Sequence, residues 1–139
     1  MTDKLRTWCE ISLDNLGENF KSIRSLVNEN TQIMSVIKSD GYGHGCVEIA
    51  HKLIECGTDC FAVACADEAT MLRKHGISVP ILVLGYTPIE TIDELLDNDI
   101  TFTVFDVDFA QELSSKAVAK NKTAKIHIKI DVGMGRIHQ

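Results

Sequence analysis

Apolar and polar positions follow two rhythms along this chain, and the rhythms take turns. In "DNLGENFKSIRSLVN", residues 14–28, Leu16, Phe20, Ile23 and Val27 recur at helical spacing, which predicts an amphipathic helix with Asp14 as its N-cap. "QIMSVIK" is then a short apolar run, the signature of a strand buried on both faces. "VEIAHKLIECG" returns to helical spacing and stops at Gly57. "CFAVACA" and "DEATMLRKHG" repeat the pair, the helix opened by acids and closed by Gly76. "PILVLG" leads into "PIETIDELLDND", with Pro88 near the first turn, and "TFTVF" into "VDFAQELSSKAVAKN". "AKIHIKID" is a last strand before "VGMGR".

A strand–helix unit thus returns about every 20 to 29 residues. That is α/β organisation with parallel strands under helices, either doubly wound or closed as a (β/α)8 barrel. Strand parity favours the barrel. In "AKIHIKID", Ile126, Ile128 and Ile130 share one face, expected to pack under helices, while Lys125, His127, Lys129 and Asp131 share the other. A doubly wound sheet would bury that polar face under helices, whereas a barrel can line its mouth with it; an edge strand with one wet face is the alternative. The expected fold is therefore an incomplete barrel, about the first five βα units.

"IKSDGYGHG", residues 37–45, carries the most conspicuous chemistry. Lys38 shares parity with Met34 and Val36 and ends the first strand, so its amine is expected at the barrel mouth, where burial favours the neutral nucleophile. Gly41, Gly43 and Gly45 allow unusual dihedrals and a close approach of backbone to an anionic ligand. Taken alone, such a loop also fits any tight strand-to-helix turn.

Composition narrows the classes. With 45% hydrophobic residues and a net charge of −6, the chain is a globular protein with no dominant basic patch, which argues against nucleic acid; "KAVAKNKTAKIHIK" reads as a solvated helix face. No apolar run is long enough for a membrane span, and the opening "MTDKLRTWCEISLDN" lacks the apolar segment of a secretory signal, so neither is expected. Five cysteines, Cys9, Cys46, Cys56, Cys60 and Cys65, form no paired framework, which points to reduced thiols and a cytoplasmic setting. Their spacing lacks a metal knuckle, and no metal is expected. Trp8 is expected in a packed junction, His51 and His75 on solvated helix faces, and His127 either lining the barrel or packed within it.

In combination these stretches are far more specific. "SVIKSDGYGHG" resembles the cofactor-lysine motif of the alanine racemase family, and "HIKIDVGMGRIH" resembles that family's second signature at the end of barrel strand five. "TWCEISLDNL" and "ILVLGYTP" are similar to it as well. The resemblance implies a pyridoxal 5′-phosphate (PLP) racemase that interconverts L- and D-alanine by two-base proton transfer, with an N-terminal barrel and a C-terminal β-domain, acting as a homodimer. It implies that Lys38 holds PLP as a Schiff base and is one of two catalytic bases. Tyr42 would hydrogen-bond the cofactor phosphate, and Arg136 would orient the cofactor's phenolic oxygen and hold the substrate carboxylate. Lys129 would be a lysine modified as a carbamate, a reaction favoured if Arg136 lowers its pKa.

The sequence departs from the family pattern at Ser39, Gly41 and Val132. Residues 1–139 are expected to be the N-terminal part of the PLP-binding barrel domain, with residues 1–12 a strand that belongs with the C-terminal domain. On that reading the chain is a fragment, inactive alone, and the second base lies outside it. Rival readings are a serine or broad-specificity racemase, another PLP-barrel protein such as a decarboxylase or carrier, and a non-catalytic α/β domain that binds a phosphorylated ligand.

Overall fold

The computed structural model describes residues 7–136, and its elements alternate as the periodicities require. The strands are β1 (Met34–Val36), β2 (Cys60–Val63), β3 (Ile81–Val83), β4 (Phe102–Val104) and β5 (Ile126–Ile128). The helices are α1 (Leu13–Ser25), α3 (Cys46–Cys56), α4 (Ala66–Lys74), α5 (Ile92–Asp97) and α6 (Val107–Ala119), with a single turn, α2 (Lys38–Gly43), after β1.

All pairings are parallel: Val36 lies opposite Ala62, Ala62 opposite Leu82, and Thr103 opposite His127. Between β3 and β4, Leu82 faces Thr101, whose N–H donates to Ile81 O at 2.8 Å while Val83 N–H donates to Thr101 O at 3.0 Å. The Thr103 hydroxyl adds a bond to Val83 O at 2.6 Å. The strand order is therefore β1-β2-β3-β4-β5. A doubly wound sheet reverses direction partway along its order; a strictly sequential one is wound a single way, as an arc of a (β/α)8 barrel.

The packing agrees. Phe61, Val63, Ile81, Val83, Phe102 and Val104 form one core with Leu53, Leu72, Leu95, Phe109 and Leu113 from the helices. These strand residues share the parity that faces outward. The opposite parity, Ala62, Leu82 and Thr103, is buried as well. Burying a side chain the size of Leu72 or Phe102, both fully covered, stabilises the fold by about 1.5–3 kcal/mol. Lysines of the basic stretch bind the acids of α5 and its following turn: Lys116 to Asp93 at 2.8 Å, Lys122 to Asp97 at 2.7 Å and Lys125 to Asp99 at 2.7 Å.

Several sequence expectations are corrected. The N-cap of α1 is Ser12, not Asp14: Ser12 is extended and its Oγ accepts from Asn15 N–H at 3.2 Å. Only the first half of the α1 stripe is used, since Phe20 is buried while Ile23 is exposed. Trp8 is 76% exposed rather than packed. Ile126, Ile128 and Ile130 are exposed instead of helix-covered, because among the described residues no helix follows β5 to pack on that face. Residues 7–12 carry no strand, and residues 1–6 of the strand expected over 1–12 lie outside the described residues. Among the described residues no helix is long and apolar enough to cross a membrane.

Candidate functional site

The ladder of β1 runs on through Ile37, whose N–H donates to Ala62 O at 3.0 Å, and delivers a half-buried Lys38 to the carboxyl end of the sheet. The chain then turns left-handed. Ser39, Asp40, Gly41 and Tyr42 have φ of 53°, 53°, 61° and 56°. Each non-glycine residue in that conformation costs about 1–2 kcal/mol, and three of these four are not glycine. Such strain persists where its surroundings over-determine it.

Four groups do so here. Gly41 N–H donates to Ile37 O at 3.0 Å and Gly45 N–H to Asp40 O at 3.0 Å, closing the turn at both ends. His44 Nδ1 lies 2.9 Å from Gly41 O and 3.1 Å from Tyr42 O, so with two carbonyls as neighbours it carries the proton and donates. His44 thus fixes the loop. The α3 N-cap is Gly45, which has no side chain to offer; Asp40 Oδ1 accepts the Cys46 N–H at 2.9 Å in its place. Glu68, in the first turn of α4, accepts from Ser39 N–H at 2.6 Å and from Ala64 N–H at 2.7 Å.

The electrostatics follow from these bonds. The Cys46 backbone N–H, and then its thiol, hold the Asp40 carboxyl below its usual pKa. Burial, then the Asp40 hydrogen bond, pushes the Cys46 thiol up to about 11. Cys46 is therefore a neutral structural thiol and not a nucleophile.

The register of β1 on β2 ends with Val36 beside Ala62, and Ile37, at φ −125° and ψ 25°, already leaves the extended conformation before Lys38. Gly85 is small for a stated reason: a Cβ there would collide with the carbonyl oxygen of Ala64. Past them, the Tyr86 and Phe105 rings meet at 6.4 Å, tilted by 54°.

Lys129 follows β5, its N–H donating to Val104 O at 2.8 Å, and is half-buried. Four strand steps of about 4.8 Å separate it from Lys38 along the sheet, roughly 19 Å. Beyond Lys129 the chain wraps on Asp131, whose carboxylate accepts Gly133 N–H at 2.9 Å and Gly135 N–H at 2.9 Å. Those amides, Gly135 first and then Gly133, lower its pKa. Arg136 comes next and is exposed, as is His127. Lys125 is drawn to the opposite rim by Asp99 and does not line the mouth.

The structure thus places Lys38 and Tyr42 in one strained turn, Lys129 across the arc, and Arg136 past a carboxylate-wrapped loop. The donor set fits the expected cofactor in its chemistry: a strand-end amine for an aldehyde, and a phenolic hydroxyl and cations for a phosphorylated ring. A cavity of about 590 Å³ lies elsewhere. It flanks the open edge of β1, between α1 and the glycine turn, touching Tyr42 and His44 but not Lys38.

Sequence reasoning overlooked Glu68 and the capping role of Asp40. Glu68 stands in an acidic helix opening, "ADEAT", where any acid favours the helix N-terminus, so composition could not single it out. Gly85 was visible only as the end of "LVLG".

A singly wound parallel arc of five strands is the opening portion of a barrel. The profile of the alanine racemase N-terminal domain matches residues 11–137. The chain belongs to that family. It is 46% identical over 138 residues to "Alanine racemase 2" of Caldanaerobacter subterraneus subsp. tengcongensis, covering 99% of this chain and 36% of the relative. It superimposes on the alanine racemase of Clostridium difficile 630 with a TM-score of 0.94 at 44% identity, covering 97% of this chain and 36% of that one. The histidine racemase of Leuconostoc mesenteroides is also similar, with a TM-score of 0.84 at 28% identity over 92% of this chain and 34% of that structure. The chain spans about a third of the length of the relatives it matches.

Proposed function

We propose that this chain forms the cofactor-holding part of a PLP-dependent amino-acid racemase, with alanine as substrate, assembled with further polypeptide and acting as a homodimer. The observation that carries the reading is Lys38 at the strand end, followed at once by a left-handed turn tied down by Asp40, His44 and Glu68. A turn that costly suits a lysine whose backbone must hold one position. The higher identity to alanine racemases than to the histidine enzyme favours the smaller substrate.

PLP, when bound, supplies an electron sink that lets an amino acid release its α-proton. The Lys38 amine would hold the cofactor's aldehyde carbon and, once free, take the proton from the substrate Cα or return it on one face. The Tyr42 hydroxyl would donate to a phosphate oxygen. Arg136 would steady the ring's phenolic oxygen and pair with the substrate carboxylate through its planar fork. We assign Lys129 the carbamate form, an anion on the far side of the mouth suited to pair with Arg136. Reprotonation from the opposite face needs a second base, which we place outside residues 1–139.

The test is proton exchange at Cα, followed by NMR on L-alanine in D2O with the assembled protein and added PLP. Deuterium entering both enantiomers, and lost in Lys38→Ala, supports the reading. Carbon dioxide release without exchange would assign a decarboxylase. Inorganic-phosphate binding that survives Lys38→Ala, with no exchange in the wild type, would leave a non-catalytic binding domain.

A further inference from the structure

We propose that Glu68 is the positioning residue for Lys38. Its carboxylate ties the amide that follows the lysine to the end of the neighbouring strand and so fixes where the Lys38 amine stands. This rests on the reading of Lys38 as the cofactor-holding amine, but the geometry behind it is independent of any cofactor. Oε1 takes the Ser39 N–H at 2.6 Å and Oε2 takes the Ala64 N–H at 2.7 Å. The last ladder bond between β1 and β2 is Ile37 N–H to Ala62 O at 3.0 Å, so the two bonds form a staple joining the ends of the two strands just past it.

The staple acts where the ladder can no longer act. Once Ser39 turns left-handed, its N–H leaves the strand direction and has no strand partner. Without Glu68 both amides would need water at the mouth, and the first residue of the strained turn would lose its anchor. A carboxylate with one oxygen on each of two amides also sets their separation, which a hydroxyl or a single water cannot do. Charge-assisted bonds of this length are about twice as strong as neutral ones. A displacement of about 1 Å at a reacting group can cost on the order of 100-fold in rate.

The experiment compares wild type, Glu68→Gln and Glu68→Ala in the full chain. The first readout is amide hydrogen exchange at Ser39 and Ala64 in cofactor-free protein. The second is the rate at which PLP and borohydride label Lys38, and the third is kcat against KM in the assembled enzyme. Glu68→Gln keeps the size and one acceptor, so it guards against simple misfolding. We expect exchange at Ser39 and Ala64 to quicken at least tenfold in Glu68→Ala, with Gln between, while core amides such as Leu82 keep their protection. Labelling of Lys38 should slow, and kcat should fall on the order of 100-fold with KM changed less than about threefold. Unchanged exchange at Ser39, or quickened exchange with unaltered labelling and kcat, overturns the proposal. If wild type labels no Lys38 at all, the PLP reading fails by itself, and the exchange data alone still decide whether the staple exists.

Discussion

The carboxylate of Asp40 caps a helix that begins six residues later: its Oδ1 accepts the Cys46 N–H at 2.9 Å, and Cys46 in turn keeps that carboxyl charged. A residue inside the left-handed turn is thereby bound to the start of α3, and turn and helix stand or fall together. Asp40→Asn retains shape but loses charge. Asp40 titrates below its usual 3.8 in the folded state, so the stability it contributes is complete above that value and is lost as pH falls through the lower folded pKa. Urea midpoints should be lower for Asp40→Asn at pH 7, and the two proteins should converge as pH drops below 3.8. A constant difference across that range would contradict the assignment.

Cys46 shows the opposite dependence. Its folded pKa is about 11 against 9.0 for an ordinary thiol, so folding is disfavoured progressively as pH rises from 9 towards 11. With a thiol reagent near pH 8, Cys9 and Cys65, both exposed, should react first. Cys56 and Cys60 should follow, and Cys46 should react only on unfolding.

Gly85→Ala forces a methyl group onto the Ala64 carbonyl, which is backbone and cannot step aside. The expected loss is about 1–3 kcal/mol, typical of overpacking, read from the denaturation midpoint. Gly57→Ala is the comparison. Gly57 has φ of +95° but open space around a Cβ, so only the conformational cost of about 1 kcal/mol applies.

Arg73 holds four carbonyls. Its Nε donates to Asn98 O at 2.9 Å, Nη1 to Ile77 O at 2.6 Å and Val79 O at 2.8 Å, and Nη2 to Asp99 O at 3.3 Å. The guanidinium stitches the turn after α4 to the turn after α5, at the cost of a pKa lowered by burial. Lysine cannot reproduce the fork. Arg73→Lys should cost about 1–3 kcal/mol in a urea melt, since three part-buried carbonyls lose a donor.

What the sequence made legible is what periodicity encodes. Gly57 was expected to end α3 and does, in the left-handed conformation. The strands fall inside the apolar runs. The glycines of the turn announced unusual backbone, yet three of its four left-handed residues are Ser39, Asp40 and Tyr42, held by bonds from Glu68 and His44. Those partners lie far along the chain or in local geometry that no periodicity records. Ile126 and Ile128 looked like core because their alternation is perfect; their exposure follows from tertiary neighbours, which alternation does not specify.

The most direct trial of the account is chemical. The assembled protein is incubated with PLP, reduced with borohydride, digested and mapped by mass spectrometry. The account predicts one dominant pyridoxyl adduct on the peptide containing Lys38, abolished by prior addition of excess carbonyl reagent. A dominant adduct on any other lysine, or scattered labelling with Lys38 unmodified, would contradict it.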